Sequence, residues 1–461
     1  MNTYQKWIEA KTTPTRVYGL PESQINPAGW LFPFQRDLVR WSLRRGSAAI
    51  FADTGLGKTV MQLDWAHHIA KHGRVLILTP LAVAQQTERE GQRFGVKCAY
   101  RRDDQGDAIT IANYDILDHF DVSKFIGIVL DESGILKNFS GATRTELINT
   151  FQNTPYRLAC TATPAPNDFT ELGNHTEFLG IKTRTEMLSE YFVHDGETTS
   201  EWRLKGHAVG HFWRWVCQWG AIVRRPSDLG YDDSVFALPL LRMHEHVLRV
   251  DHTAAWAGGT LFLNEAMTLG EQRGVRRATI DARVSAAAEL ASGDEPVLIW
   301  GELNDECDAI EKAIPGCVQV KGSDSPEDKA ERLLGFADGK YRALVSKTKI
   351  AGHGLNLQRC NRMIFLGASH SFEQTYQAIR RCWRFGQTRP VDVWMIRAET
   401  DAQIMLNYRR KEADAKKMAD ATAPIVCDAV RESVGSSKRE WNEYDARQDM
   451  VVPQWCSAEV V

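Results

Sequence analysis

Residues 47–73, SAAIFADTGLGKTVMQLDWAHHIAKHG, constrain the fold of this chain more than any other stretch. Ala48 to Ala52 is a short apolar run ended by a glycine-rich turn, which predicts a buried strand. The residues after Lys58 carry apolar side chains at helical spacing. Strand, glycine loop and helix follow one another without a gap. In that order, Gly55 and Gly57 let backbone N–H groups close around phosphate oxygens while the new helix points its positive end at them. Thr54, Gly55, Leu56, Gly57, Lys58 and Thr59 then form a phosphate cradle: Lys58 reaches the outer phosphates and the Thr59 hydroxyl holds Mg²⁺. Ala52 stands where the commonest form of this loop opens with glycine.

The same rhythm continues downstream. Apolar runs at 74–79, 108–112, 125–130 and 157–162 predict further strands with helical segments between them, hence parallel βαβ units with ligands at the carboxyl ends of the strands. The run FIGIVL delivers Asp131 and Glu132 to that edge. We assign Asp131 to the metal already held by Thr59, and Glu132 to orienting and deprotonating an attacking water. An Asp-Glu pair at a strand end is by itself more often an exposed turn; a GKT triplet at domain-scale spacing upstream gives it meaning. Before the glycine loop, Pro33 can start a helix whose Leu38, Val39, Trp41 and Leu43 pack inward. Gln35 opens that helix, and its amide can both donate to and accept from an adenine edge, although most glutamines so placed are solvated.

From 167 to 292 the rhythm gives way to a mostly helical, aromatic stretch, with Phe212, Trp213, Trp215, Val216 and Trp219 spaced to cover one helix as core. A second α/β unit begins near residue 295. In it Gly352 and Gly354 permit a tight turn where backbone can approach phosphate, and a helix from 373 to about 385 carries Gln377, Arg380, Arg381 and Arg384. Arg381 and Arg384, three apart, share a face of that helix as solvated surface or as a phosphate clamp. The fold class is therefore α/β, two parallel-sheet lobes with helical insertions between them. The expected division is 1–166 for the first lobe with its lead-in, 167–292 for insertion and linker, 293–400 for the second lobe, and 401–461 for a C-terminal helix and tail.

Bulk properties narrow the partners. A chain of 461 residues is long enough for several domains, and a net charge of −3 means that a polyanion must be met by a local basic surface. Nine cysteines without a CxxC pair argue against a zinc ribbon and for a reducing compartment. The absence of an apolar leader or spanning run sets the expectation of a soluble cytoplasmic protein with no membrane association.

Seven motifs in order carry a family resemblance: FQ at 34–35, TGLGKT at 54–59, LTP at 78–80, DES at 131–133 with LKN at 136–138, TATP at 161–164, GHGLNL at 352–357 and QAIRRCWRFGQ at 377–387. Together they resemble helicase superfamily two. RRPSDL with a later LP, and the RCWRFGQ spelling, make the chain similar to its Swi/Snf branch of DNA-dependent ATPases, in the compact form found in bacteria and phages.

That resemblance implies two RecA-like lobes with ATP and Mg²⁺ in the cleft between them. The first lobe would supply Gln35, Lys58, Thr59, Asp131 and Glu132; the second would add Gly354 and Gln377 at the nucleotide, and Arg381 and Arg384 as fingers on the transferring phosphoryl group. It further implies an ATP-driven translocase on duplex DNA, plausible as a monomer, in a bacterial or phage-infected cell. Lys137, Arg224, Arg225 and Lys347 are candidate phosphate contacts, although any single one is more commonly a solvated surface charge. A strand-separating DNA or RNA helicase is the alternative enzyme, and a non-catalytic ATP-gated nucleic-acid clamp the alternative of another class. One departure bears on coupling: the acidic motif reads DESG, so Gly134 lacks the imidazole common there.

Overall fold

The computed structural model describes residues 19–137, 141–165, 168–194, 202–248, 277, 279–351, 356–367, 372–398 and 425–435. Near-continuous apolar strands suit a parallel sheet covered on both faces, and the first lobe is built that way. Its strands are β1 (Ser47–Ala52), β2 (Arg74–Thr79), β3 (Ala99–Tyr100), β4 (Ile109–Asn113), β5 (Phe125–Asp131) and β6 (Tyr156–Cys160). After a short antiparallel hairpin of β7 (Phe192–His194) and β8 (Trp202–Leu204), β9 (Gly220–Val223) closes the sheet. The order is β3-β4-β2-β5-β6-β1-β9, every pair parallel.

Three helices fix the working edge of this sheet. Helix α1 (Pro33–Arg45) starts on proline, as its sequence predicts, and buries Leu38, Val39, Trp41 and Leu43. Helix α2 (Lys58–Ile69) springs from the glycine loop, and α3 (Leu81–Arg93) follows Pro80. Further on, α4 (Leu172–Phe178) lies beneath the acidic motif, and α5 (Val209–Trp219) buries Phe212, Trp213, Val216 and Trp219, so its aromatic residues are core.

The second sheet is β10 (Leu241–Leu248), β11 (Val297–Gly301), β12 (Cys317–Val320), β13 (Ala343–Lys347), β14 (Arg362–Phe365) and β15 (Val391–Ala398). They lie in the order β10-β15-β14-β11-β13-β12, again parallel throughout. The stretch 167–292, expected as a helical insertion, thus contributes an edge strand to each sheet. GAIV is too short to announce itself, and LRMHEHVL alternates because one face of an edge strand stays wet.

The helix expected from 373 to about 385 is shorter: α6 (Phe372–Ile379) stops before the arginines. Past Ile379 the carbonyls find non-helical partners. Arg381 O accepts from Leu357 N at 3.0 Å and Cys382 O from the Gln387 side chain at 3.4 Å, and Gly386 turns the chain at φ 89°. A last helix, α7 (425–435), returns to the first lobe, burying Val426, Val430 and Val434 in that lobe's core while Ser433 Oγ accepts from Trp41 Nε1 at 3.0 Å. The charged helix expected from about 401 lies mostly outside the described residues. Among the described residues, no helix is long and apolar enough to cross a membrane.

Candidate active site

Because the first sheet is parallel, the carboxyl ends of β5, β6 and β1, three neighbours, bring DES, TATP and TGLGKT to one edge. Gly55 and Gly57 have φ of 94° and 81°, the left-handed region that glycine enters at no steric cost. At Gly57 the requirement is also spatial, since a Cβ there would run into the Gln35 amide. That amide braces the loop: Nε2 donates to Leu56 O at 2.8 Å, and Oε1 accepts from Phe32 N at 3.0 Å. Gln35 is therefore buried against backbone in this conformation, with one N–H left over. Thr54 and Leu56 are buried as well.

Lys58 opens α2 and folds back, its Nζ donating to Ala52 O at 2.9 Å; Thr59 is the next residue of the helix. Burial lowers the Lys58 pKa, against the opposing pull of Glu132, Asp131 and Asp53. Asp131 is buried at the end of β5, where Oδ1 accepts from Gln62 Nε2 at 2.7 Å and Oδ2 from Thr79 Oγ1 at 3.2 Å. Burial and then the neighbouring Glu132 raise its carboxyl to about 6. A buried carboxylate beside a second one and close to a threonine hydroxyl is a hard oxygen set with surplus negative charge, which suits Mg²⁺. Glu132 itself is the one non-glycine among the described residues with positive φ, 55°.

The second lobe meets this edge directly. Asp53 in the glycine loop accepts from Arg380 Nη2 at 3.2 Å and from Tyr376 Oη at 3.3 and 3.4 Å, and Arg380 also donates to Thr54 O. Gln377 Nε2 donates to Thr163 Oγ1 at 3.2 Å, and Asn356 N to Gln86 Oε1 at 3.2 Å. These contacts carry Arg381, 2 % exposed, into the field of Glu132 and Asp131, and Lys58 in turn feels Arg381. Arg384 is half-buried nearby; burial and then Arg381 push its pKa down, while Glu90 and Glu132 oppose. Guanidinium groups stay charged in proteins, so crowding Lys58, Arg381 and Arg384 together creates a seat for a polyanion.

Of the residues singled out from sequence, Gln35, Thr54, Gly55, Leu56, Gly57, Lys58, Thr59, Asp131, Glu132, Gln377, Arg381 and Arg384 converge on this seam, and Gly354 lies outside the described residues. The four cations assigned to nucleic acid do not share one groove. Lys137 lines an interlobe cleft of about 570 Å³ with Glu132, Gly134, Thr163, Lys349 and Gln377. Arg224 and Arg225 border a separate cavity of about 350 Å³ with Gly55, Phe236 and Phe385, and both pair with Asp228, at 3.8 and 3.6 Å. Lys347 faces a third cavity within the second lobe. Sequence reasoning gave Arg380 no role and passed over Asp53 and Tyr376, because no local pattern couples positions more than 300 apart.

Parallel-sheet lobes that appose a glycine-loop lysine, an acidic pair and two guanidiniums give a two-lobed protein of RecA-like build with a candidate nucleotide site at the seam. Comparison with known proteins agrees: residues 282–386 match the helicase conserved C-terminal domain. The chain is 23 % identical over 449 residues to a Bacillus subtilis protein named as an ATP-dependent helicase/translocase, YwqA, covering 82 % of this chain and 48 % of that one. It is 22 % identical to the Xenopus laevis SWI/SNF-related matrix-associated actin-dependent regulator of chromatin subfamily A-like protein 1, over 81 % of this chain and 42 % of the relative. With the chromodomain-helicase-DNA-binding protein 1-like of Danio rerio it shares 24 % identity over 79 % and 41 %. Over most of its length the chain is thus similar to ATPases of helicase superfamily two of Swi/Snf type, and it spans less than half the length of these relatives.

Proposed function

We propose that this chain is an ATP-driven translocase on double-stranded DNA, hydrolysing ATP between its lobes. The observation that carries the proposal is the contact of the second lobe's arginine segment with the glycine loop, Arg380 on Asp53 and Thr54 O and Arg384 beside Gly55, which brings Arg381 and Arg384 to the loop. In this reading 1–166 and 293–400 are the working lobes, joined by 167–292. Lys58 and the loop N–H groups hold the β- and γ-phosphates, and Arg381 and Arg384 neutralise charge on the phosphoryl group as it transfers. Glu132 orients the water and accepts its proton. Asp131 and Thr59 would hold Mg²⁺, which supplies charge neutralisation at the phosphates. Gln35 and the Phe236–Phe385 stack, centroids 4.9 Å apart beside Gly55, offer the adenine a polar and an apolar neighbour.

Closure around ATP and reopening after hydrolysis would move one lobe along the nucleic-acid backbone. The relatives' names, which speak of translocases, DNA-binding helicases and chromatin regulators, support a nucleic-acid track, and Lys137 and Lys349 on opposite walls of the interlobe cleft are suited to its phosphates. ATP turnover measured with single-stranded, duplex and forked DNA and with RNA tests the proposal. Duplex DNA should stimulate most and no strand should be displaced from the fork; equal turnover with and without nucleic acid would refute it.

A further inference from the structure

Glu132 holds a left-handed backbone without being glycine, at φ 55°. Such a conformation costs on the order of 1–3 kcal/mol and persists only where its surroundings over-determine it. Upstream, Tyr114 Oη donates to Asp131 O at 2.7 Å. Downstream the chain makes a tight turn, Ser133–Lys137, that is held from below at both ends by α4. Ser133 Oγ lies 3.1 Å from His175 Nε2, both residues fully buried, and Asn174 Nδ2 donates to Lys137 O at 3.2 Å.

Burial favours the neutral imidazole, so Nε2 and the Ser133 hydroxyl share one hydrogen bond inside the fold. The ring packs edge-on against Phe51 of β1, centroids 5.2 Å apart, so His175 also touches the strand that feeds the glycine loop. Gly134, between Glu132 and Lys137, has room: a Cβ there would meet nothing closer than Thr161 Oγ1 at 3.7 Å.

We infer that His175 is a positioning residue for Glu132: through Ser133 it fixes the left-handed turn that aims the Glu132 carboxylate, and through the same turn it ties Glu132 to Lys137 in the nucleic-acid cleft. This inference rests on the proposed function, since it assumes that Glu132 acts on water and that Lys137 meets the track. It makes the turn a lever, with a phosphate-binding lysine at one end and the water-orienting carboxylate at the other.

The test is steady-state ATP turnover with saturating duplex DNA in His175→Leu, His175→Gln, Ser133→Ala and the Ser133→Ala/His175→Leu double variant. His175→Leu keeps the apolar bulk and loses the ring nitrogen that bonds Ser133; kcat should fall about tenfold with KM for ATP unchanged within about twofold. His175→Gln should restore most of kcat. The double variant should lose no more than either single one, because both remove the same bond. Should His175→Leu not fold, Ser133→Ala removes the bond from a small side chain and must show the kcat loss alone. Parental kcat in Ser133→Ala, additive losses in the double variant, or no rescue by glutamine would overturn the inference while leaving the translocase reading intact. A parent protein without ATP turnover would overturn both.

Discussion

Arg380 of the second lobe pairs with Asp53 of the glycine loop at 3.2 Å, the guanidinium 7 % and the carboxylate 25 % exposed. With Tyr376 on the same carboxylate and Thr54 O on the same guanidinium, the pair holds the lobes together through the loop that is proposed to bind phosphate. Asp53→Asn should therefore open the cleft. A charge-assisted bond of this kind is worth roughly 1–3 kcal/mol, enough to shift an open–closed equilibrium by about tenfold or more. Small-angle scattering without nucleotide should give a larger radius of gyration for the variant than for the parent. Identical curves would show that the pair does not govern closure.

Lys58→Ala should abolish ATP hydrolysis and keep the fold. Among the described residues the side chain hydrogen-bonds Ala52 O, so truncation removes one hydrogen bond at the loop and leaves the buried face of α2 in place. Far-UV circular dichroism should match the parent, with a Tm shift of no more than about 4 °C, while phosphate release falls to background. Parental turnover would mean that the loop does not do the chemistry.

Lys137→Ala should weaken duplex binding across all sequences alike. The side chain is exposed at the mouth of the interlobe cleft. Neutralising one phosphate contact should reduce the slope of log K against log salt by about one. A slope equal to the parent's would remove Lys137 from the track.

The buried His175 gives a pH prediction. Burial lowers its pKa from 6.5 to about 4. Between those values the unfolded chain binds more protons than the folded one, so stability rises with pH there and is lost as pH falls from about 6.5 through 4. His175→Leu should flatten that acid limb of the Tm profile. An unchanged slope would mean that the imidazole does not stay neutral on folding.

How far the chain was legible follows from where its information lies. The glycine loop, Asp131 and Glu132 sit in contiguous strand-turn-helix segments, so β1, β2, β5 and β6 could be located from local runs. The arginines were expected on a helix but follow it: the partners that end α6 early, Leu357 N and the Gln387 amide, are supplied by the folded second lobe and by a turn. Strands β9 and β10 were missed because their sheets are completed by segments remote in the chain. Arg224 and Arg225, candidate phosphate contacts in the sequence, also pair with Asp228 one turn on. Asp53 with Arg380, and Ser133 with His175, are invisible to any periodicity, since only the tertiary fold makes them neighbours.

The central claim is that one catalytic pocket is completed across the two lobes, and kcat and KM for ATP in Arg381→Ala and Arg384→Ala, with duplex DNA saturating, test it most directly. The account predicts that kcat falls by about two decades or more in each variant, in line with the roughly 10³–10⁵ that an arginine finger contributes elsewhere, while KM changes far less. Parental turnover in both variants would contradict it.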